Sequence, residues 1–162
     1  MLTLLSQYNA KVTFFIIGKN AIKNKYILER ISALGHSICN HTFSHPLLCS
    51  HNNKFVIRQV LKCEKILNSY YGFVRLFRPP EGMLSFKGLY CLRRCNYRVL
   101  WWAIDSKDFM GKASEDIIYD LKKCVSDDCV ILFHDNDSKC VEVLTSLLPY
   151  WINKGYSFKK LT

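Results

Sequence analysis

The chain has 162 residues, a formal net charge of +10 and an apolar fraction of 49%. This length and composition are typical of one globular domain, so a single domain over residues 1–162 is expected. The basic residues form no run of about five or six, which argues against nucleic acid as the main partner, and no stretch approaches the roughly 20 apolar residues of a membrane span.

Strand and helix patterns alternate along the chain. Residues 12–17 form a continuous apolar, β-branched and aromatic run that stops at Gly18, which is typical of a buried strand. Asn20 then precedes a helical pattern that extends to residue 34 and is terminated by Gly35. The predicted strands cover residues 12–17, 37–39, 76–78, 97–104, 129–133 and 156–159, and the predicted helices cover residues 20–34, 53–70, 85–94, 114–123 and 141–154.

This order of elements indicates a parallel sheet or a β/α barrel. Polar side chains occur at or just after the ends of its strands. They are His41, His45, Arg78, Asp105, Asp108 and His134. Because α/β folds build their sites at the carboxyl ends of parallel strands, we expect a functional site from these side chains.

The stretch CNHTFSHP places two histidines, His41 and His45, four residues apart in a predicted loop. Two imidazoles at this spacing can bind one divalent metal ion. Spacing alone also fits two surface histidines in a polar loop. The motif therefore favours a metal site only in combination with others.

A second segment, RPPEG, follows the predicted strand at residues 76–78. Its prolines restrict the backbone and Gly82 permits a sharp turn, so this turn can hold a backbone N–H at a fixed point, as an oxyanion site requires. Arg78 could clamp a carboxylate. Alternatively the loop is only rigid, with Arg78 in a structural salt bridge.

Two further segments end predicted strands with acid–base groups. Asp105 and Asp108 could orient a histidine or bind a metal, or they could simply cap the next turn. His134 follows the apolar run VILF and is a candidate general acid, or a hydrogen-bonded structural histidine.

The eight cysteines form no CxxC pair, which excludes a zinc ribbon and a thioredoxin-like site. Several stand where an apolar residue would serve, so we interpret them as reduced thiols packed as small apolar side chains. The N-terminal stretch MLTLLSQYNAKVTFF has no basic region and no cleavage-like site, so an export signal is not expected.

The segments GHSICNHTFSHP, LFRPPEG, WWAIDSKDF and VILFHDND, in this order, resemble the motifs of the polysaccharide deacetylase family, which is carbohydrate esterase family four. The resemblance covers nearly the whole chain. It implies an α/β fold, an irregular β/α barrel of the polysaccharide deacetylase type, as one domain over residues 1–162. It also implies that residues 1–8 are a helix.

The resemblance further implies hydrolysis of N-acetyl groups from an acetylated oligo- or polysaccharide, such as chitin or peptidoglycan. His41 and His45 would bind a divalent metal, usually zinc. His134 would be the general acid, Asp108 would orient it, and Arg78 would clamp the catalytic base. The backbone N–H of Glu81 would help hold the oxyanion. The substrate would contact the remaining motif positions, which are Pro80, Glu81, Phe109 and Leu132.

The chain also departs from the family pattern. The family begins with a strand ending in an Asp-Asp-Gly-like motif that carries the general base and a third metal ligand, and no Asp-Asp-Gly occurs in this chain. We therefore expect a barrel without its first strand, two protein ligands for the metal, and impaired activity. Glu81 and Phe109 replace the residues more common in the family, an aromatic residue and tryptophan.

Two functions remain after this comparison. The first is a metal-dependent glycan deacetylase, and the alternative is a non-catalytic carbohydrate-binding relic of the same family. A plain interaction domain would have little reason to keep the whole motif set. The family usually acts on cell-wall or extracellular glycans, whereas this chain shows no signal peptide and has cysteines suited to a reducing compartment.

Overall fold

The computed structural model describes residues 1–135 and 138–162, so the last two residues of the motif VILFHDND lie outside the described part. The chain divides into two compact units. The larger unit comprises residues 11–101 and 160–162, and the smaller unit comprises residues 1–10 and 102–159. Both are of the predicted α/β type, with parallel strands.

The helices are α1 Leu2–Gln7, α2 Gly18–Lys23, α3 Lys25–Ala33, α4 Asn53–Leu67, α5 Phe86–Arg94, α6 Ser114–Cys124 and α7 Lys139–Asn153. The strands are β1 Thr13–Ile16, β2 Ser37–Asn40, β3 Phe73–Phe77, β4 Arg98–Val99, β5 Ile104–Asp105 and β6 Ile131–Leu132. Short 3₁₀ turns occupy Leu48–Ser50, Pro80–Gly82 and Asp108–Met110.

The sheet of the larger unit has the order β1-β2-β3-β4, with every neighbouring pair parallel. Helix α4 begins where the Asn52 side chain accepts a hydrogen bond from the N–H of Phe55, and it buries one apolar stripe. That stripe contributes to a core formed by Leu48, Val56, Val60, Phe77, Leu92 and Tyr97. The carboxyl ends of β2 and β3 lead directly into the two predicted motif loops.

The sheet of the smaller unit pairs β5 with β6 in parallel. Helix α7 buries six side chains on one face: Cys140, Val143, Leu144, Leu147, Leu148 and Trp151. The helix expected within residues 1–8 is α1, Leu2–Gln7, and Leu5 is its buried residue. This unit positions the segments after β5 and β6.

The helix predicted at residues 20–34 is wrong as one element. Asn24 leaves the helical conformation at φ −128° and separates α2 from α3, and its side-chain amide donates to the carbonyl of Asn20 at 2.9 Å. Asparagine favours such local bonds over a continuous helix. Gly35 does follow α3 with a left-handed φ of 75°, as its sequence position predicted.

Two strand predictions also need correction. The strand predicted at residues 97–104 is two short strands that pair with different partners. After β4, the N–H of Leu100 donates to the carbonyl of Phe77, whereas the N–H groups of Ala103 and Ile104 both donate to the carbonyl of Val130. Residues 156–159 form no strand. Near the end of the chain, the N–H of Leu161 donates to the Thr13 hydroxyl oxygen and the carbonyl of Leu161 accepts from the Ser37 hydroxyl. β3 begins at Phe73, earlier than the predicted residue 76.

Within the described residues no disulfide bond joins any of the cysteines. Burial raises the pKa of Cys39 and of Cys63 to about 12, which keeps both thiols protonated. None of the helices in the described part of the chain combines the length and apolar character needed to cross a membrane.

His36 is expected to make the stability of the fold dependent on pH. It is 1% exposed, and its Nδ1 accepts a hydrogen bond from the N–H of Val12 at 3.3 Å. Burial, with the charges of Lys11 and Lys160, lowers its pKa below the usual value. A group with a lowered folded-state pKa binds a proton more readily when unfolded, so stability falls as the pH drops below about 6.5. Urea unfolding between neutral pH and pH 5 should show this fall, and His36→Gln should reduce it; an equal fall in His36→Gln would assign it to other groups.

Candidate functional site

The loop after β2 holds its two histidines on an unusual backbone. Thr42 and His45 both have left-handed φ angles, 66° and 57°. Such angles cost of order 1–3 kcal/mol each outside glycine unless the surroundings impose them. Here the Asn40 side chain accepts from the N–H of Thr42 at 3.0 Å, and the Thr42 hydroxyl oxygen accepts from the N–H of His45 at 2.9 Å. Polar side chains of the motif therefore stabilise the loop conformation.

A glutamine on α4 fixes the middle of the same loop. Gln59 Oε1 accepts from the N–H of Phe43 at 3.2 Å, and from the N–H and hydroxyl of Ser44 at 3.0 and 3.2 Å. Sequence reasoning did not identify Gln59, because it lies 15 residues from Ser44 and only the fold brings them together. Its polar side chain among apolar helix positions was the one available signal.

His41 and His45 lie side by side. Their ring centroids are 4.8 Å apart and the ring planes make an angle of 70°. His41 Nδ1 lies 2.6 Å from the carbonyl oxygen of Arg78, which can only accept, so this nitrogen carries the proton and the lone pair of the neutral ring is on Nε2. That tautomer is the one a metal-binding histidine needs, and a backbone carbonyl commonly fixes it.

The donor set therefore fits a divalent metal held by two imidazoles from one loop. Among residues 1–135 and 138–162, no group of three or more histidine, cysteine, aspartate or glutamate side chains is arranged to hold a metal ion. The remaining ligands of a four-coordinate ion would come from elsewhere.

A buried hydrogen-bond network supports the loop from beneath. Asn40 Nδ2 donates to the carbonyl of Val60 at 2.9 Å and to the Tyr97 hydroxyl at 3.1 Å. The Tyr97 hydroxyl donates to Glu64 Oε2 at 2.9 Å, and burial raises the pKa of Tyr97. Sequence reasoning identified neither Tyr97 nor Glu64.

Arg78 follows β3 as predicted. Its N–H donates to the carbonyl of Asn40 at 3.1 Å, and its guanidinium carbon lies 4.9 Å from the ring centroid of Phe15. Stacking of a guanidinium on an aromatic face is a favourable arrangement that also orients the side chain. The role of Arg78 as a clamp for a catalytic base stays a prediction.

The turn after Arg78 is rigid in the way its prolines predicted. Pro80 is buried, Glu81 has a left-handed φ of 53° with an exposed side chain, and Gly82 has a φ of 67°. The N–H of Gly82 donates to Pro79, and the Trp101 indole N–H donates to the carbonyl of Gly82 at 2.8 Å. These contacts hold the backbone at Glu81 in one conformation, as a fixed oxyanion donor would require.

In the smaller unit, Asp108 binds His134 twice. Its Oδ1 lies 2.9 Å from His134 Nδ1, and its Oδ2 accepts from the backbone N–H of His134 at 2.8 Å. Burial alone would raise the pKa of Asp108, which is 4% exposed, but the hydrogen bonds from His134 outweigh burial and the pKa lies below its usual value. An ionised carboxylate at Nδ1 orients the ring.

The other predicted residues of this unit differ in their contacts. The Phe109 ring lies edge-on to His134 with centroids 4.7 Å apart, and Leu132 is buried at the end of β6. Asp105 has a different role, because its Oδ1 accepts from the N–H of Lys107 at 2.9 Å. This is the turn-capping alternative that the sequence left open for Asp105.

The predicted site residues thus form two groups. The larger unit contains His41, His45, Arg78, Pro80 and Glu81, and the smaller unit contains Asp108, Phe109, Leu132 and His134. In the larger unit His41 contacts His45 and the Arg78 carbonyl, and in the smaller unit His134 contacts Asp108 and Phe109.

Asp108→Asn is expected to destabilise the protein by about 1–3 kcal/mol at neutral pH, since an amide supplies only one acceptor for the two N–H groups of His134. The lowered pKa of Asp108 also means that the ionised carboxylate stabilises the folded state. This stabilisation is present above about pH 4 and is lost as the pH falls further. Urea unfolding at pH 7 measures the change. Asp105→Asn, which keeps an acceptor for its one donor, is the matched control, and equal losses in the two variants would contradict this account.

Comparisons with known proteins agree with the motifs. The model of the polysaccharide deacetylase family matches residues 1–100. The peptidoglycan-N-acetylglucosamine deacetylase of Bacillus cereus is 34% identical over 99% of this chain and 60% of its own length. The chitooligosaccharide deacetylase of Azorhizobium caulinodans is 32% identical over 82% of this chain and 64% of that protein. The chain thus spans less than two thirds of the length of these relatives.

Solved structures show the same fold. A peptidoglycan N-acetylglucosamine deacetylase, crystallised with a naphthalenyl N-oxidanyl-benzamide, has a TM-score of 0.94 and 33% identity, covering 99% of this chain and 77% of that one. A pseudoenzyme of carbohydrate esterase family 4 from Bacillus anthracis has a TM-score of 0.91 and 19% identity, covering 99% of this chain and 57% of that one. The second likeness concerns the fold alone. The predicted fold of the polysaccharide deacetylase type is confirmed.

Proposed function

Because this chain belongs to the polysaccharide deacetylase family, we propose that it serves as a metal-dependent hydrolase that removes N-acetyl groups from the sugars of a glycan. The observation that carries the proposal is the histidine pair, with His41 held in the ligand-competent tautomer by the Arg78 carbonyl at 2.6 Å. A chitin-like and a peptidoglycan-like glycan both fit, since relatives of both descriptions match the chain.

His41 and His45 would hold the metal, and zinc is the ion that two imidazoles suit best among common hydrolytic metals. When bound, zinc supplies Lewis-acid polarisation of the acetamide carbonyl and of the attacking water. The rigid turn at Pro80 and Glu81 would present the Glu81 backbone N–H to the carbonyl oxygen. These roles use the loops at the carboxyl ends of β2 and β3.

His134 would protonate the leaving amine of the sugar. With its Nδ1 proton directed at Asp108, the ring exchanges its second proton at Nε2, so a protonated Nε2 is the acid. The ionised Asp108 stabilises the imidazolium before transfer. Phe109 beside His134 and the buried Leu132 are the apolar groups we assign to the acetyl methyl.

We also propose that the chain as given turns over its substrate poorly. In the resembled motif set, a general base and a further metal ligand belong to an Asp-Asp-Gly segment that this sequence does not contain. The same absence favours a second candidate function, carbohydrate binding without catalysis. A B. anthracis pseudoenzyme with the same fold shows that the fold also occurs without activity.

A direct experiment separates these functions. The purified chain, loaded with zinc, is incubated with N-acetylglucosamine oligomers and with peptidoglycan fragments, and loss of acetyl groups is followed by mass spectrometry. Slow zinc-dependent release that disappears in His134→Asn supports the hydrolase. Binding of the oligomers with no release above a no-protein control supports the carbohydrate-binding candidate. If the chain neither binds the oligomers nor releases acetyl groups, both candidate functions are contradicted.

A further inference from the structure

A continuous chain of hydrogen bonds connects the surface of the larger unit to the histidine loop. It begins at the Arg75 guanidinium, which donates to Glu64 Oε1 at 2.6 and 3.1 Å. It continues from Glu64 Oε2 through the Tyr97 hydroxyl to the Asn40 amide, at 2.9 and 3.1 Å. From Asn40 Oδ1 it reaches the Thr42 N–H, and the Thr42 hydroxyl oxygen receives the N–H of His45, at 3.0 and 2.9 Å.

The Val60 carbonyl can only accept and the Thr42 N–H can only donate, and these two groups identify Nδ2 and Oδ1 of Asn40. Asn40 Nδ2 is a donor, so the Tyr97 oxygen accepts from it and the single hydroxyl proton of Tyr97 goes to Glu64. Glu64 accepts on both oxygens, from Arg75 on Oε1 and from the Tyr97 hydroxyl on Oε2. The direction of every bond follows from the chemistry of its partners.

This fixed direction determines how Asn40 is oriented. If the amide were flipped, its NH₂ group would face the N–H of Thr42, two donors would oppose each other, and the Tyr97 hydroxyl would lose its donor. The carbonyl of Val60 and the Tyr97 hydroxyl both accept hydrogen bonds from Nδ2 of Asn40, so Oδ1 of Asn40 is directed to the N–H of Thr42. The left-handed backbone at Thr42, with a φ of 66°, depends on that acceptor.

We infer that Tyr97, with Glu64 as its acceptor, is a positioning residue that orients Asn40 and so sets the backbone carrying His41 and His45. The inference rests on the proposed function, because it assigns these residues to the affinity of the histidine pair for a metal. Neither Tyr97 nor Glu64 contacts a proposed ligand histidine. Their effect passes through Asn40 and Thr42.

Packing alone is the competing explanation for a buried tyrosine. The Tyr97 ring belongs to the core and lies edge-on to Phe77 with centroids 6.5 Å apart. Tyr97→Phe preserves that ring and removes only the hydroxyl group. If packing were its only role, the variant would lose some stability while its folded molecules bound zinc as tightly as the parent chain.

The test is the zinc affinity of Tyr97→Phe, measured by competition with a chromophoric chelator under conditions where circular dichroism shows the protein folded. We expect a loss of about 10-fold, the lower end of the effect of removing a direct partner of a metal ligand, because the effect passes through Asn40 and Thr42. Tyr71→Phe is the matched control, since Tyr71 is 82% exposed and lies in the same unit. It should bind zinc as the parent chain does.

A spectroscopic measurement accompanies the affinity. Imidazole nitrogen NMR on folded Tyr97→Phe should show the Nδ1–H tautomer of His41 less populated than in the parent chain. Glu64→Gln is the second variant if Tyr97→Phe does not fold. A single amide oxygen cannot serve both Tyr97 and Arg75, so its zinc affinity should fall in the same direction.

The outcomes are distinguishable. If the parent chain binds zinc no better than the double variant His41→Ala/His45→Ala, the proposed function fails. If the parent chain binds zinc through these histidines and the folded positioning variant binds it equally well, the inference about Tyr97 is overturned. A loss of affinity confined to Tyr97→Phe or Glu64→Gln, and absent in Tyr71→Phe, supports it.

Discussion

Replacing either His41 or His45 with alanine is expected to weaken zinc binding about 100-fold. The estimate assigns each ligand about a quarter of the roughly 10–16 kcal/mol of a four-ligand zinc site, which is about 3 kcal/mol. Both imidazoles come from one loop and lie 4.8 Å apart, so the loss of one leaves a single histidine ligand. Chelator competition on each purified variant measures the change.

His51→Ala is the matched control for this prediction. His51 is an exposed histidine of the same loop region, but its ring stacks on Phe55 with centroids 4.0 Å apart rather than on the pair. Its removal should leave zinc affinity within about twofold of the parent chain. Equal zinc affinity in all three variants would show that the metal binds elsewhere, for instance at thiols.

The second large effect concerns turnover. The chain as given is expected to release acetate from N-acetylglucosamine oligomers about 10²- to 10⁴-fold more slowly than a deacetylase with a complete motif set, which is the usual contribution of a general base. The reason is the absence of an Asp-Asp-Gly segment, while the proposed acid His134 and its partner Asp108 are in place. Acetate release under saturating zinc measures it.

Chemical rescue identifies the cause of slow turnover. A high concentration of formate, a small carboxylate, should raise the rate if the missing group is a carboxylate base, and the increase should vanish in His134→Asn. A rate equal to that of a complete deacetylase without formate would refute the proposed impairment. Failure of formate to raise a slow rate would favour the carbohydrate-binding function.

The residues adjacent to strand ends were predictable because local sequence determines them. His41 directly follows β2, Arg78 directly follows β3, and His134 lies two residues past β6. Apolar runs that end in polar residues reveal such positions without knowledge of the fold. The resemblance of the motifs then named the family, which the comparisons confirmed.

The supporting residues were not predictable for the opposite reason. Glu64 and Tyr97 lie on helical or loop segments with no local signal, and Gln59 is marked only as a polar residue among apolar helix positions. All three reach the histidine loop only through packing of α4 and the sheet. Asp105 shows the same limit, since two aspartates three residues apart looked alike in sequence, yet one caps a turn and the other binds His134.

The element errors have local physical causes. Asn24 interrupts an otherwise periodic helical pattern through its own side-chain bond, which hydrophobic periodicity does not detect. The two tryptophans made residues 97–104 resemble one strong strand, but Trp101 directs its indole N–H to Gly82 and the ladder is broken there. The β-propensity of aromatic residues depends strongly on such context.

The most direct test of the central claim is the X-ray absorption spectrum at the zinc edge of the zinc-loaded protein. The account predicts nitrogen and oxygen ligands at about 2.0–2.1 Å, with imidazole outer-shell scattering that is lost in the double variant His41→Ala/His45→Ala. Because the chain has eight cysteines, thiolate ligation is the alternative. A dominant sulfur shell at about 2.3 Å, unchanged in the double variant, would contradict the histidine site.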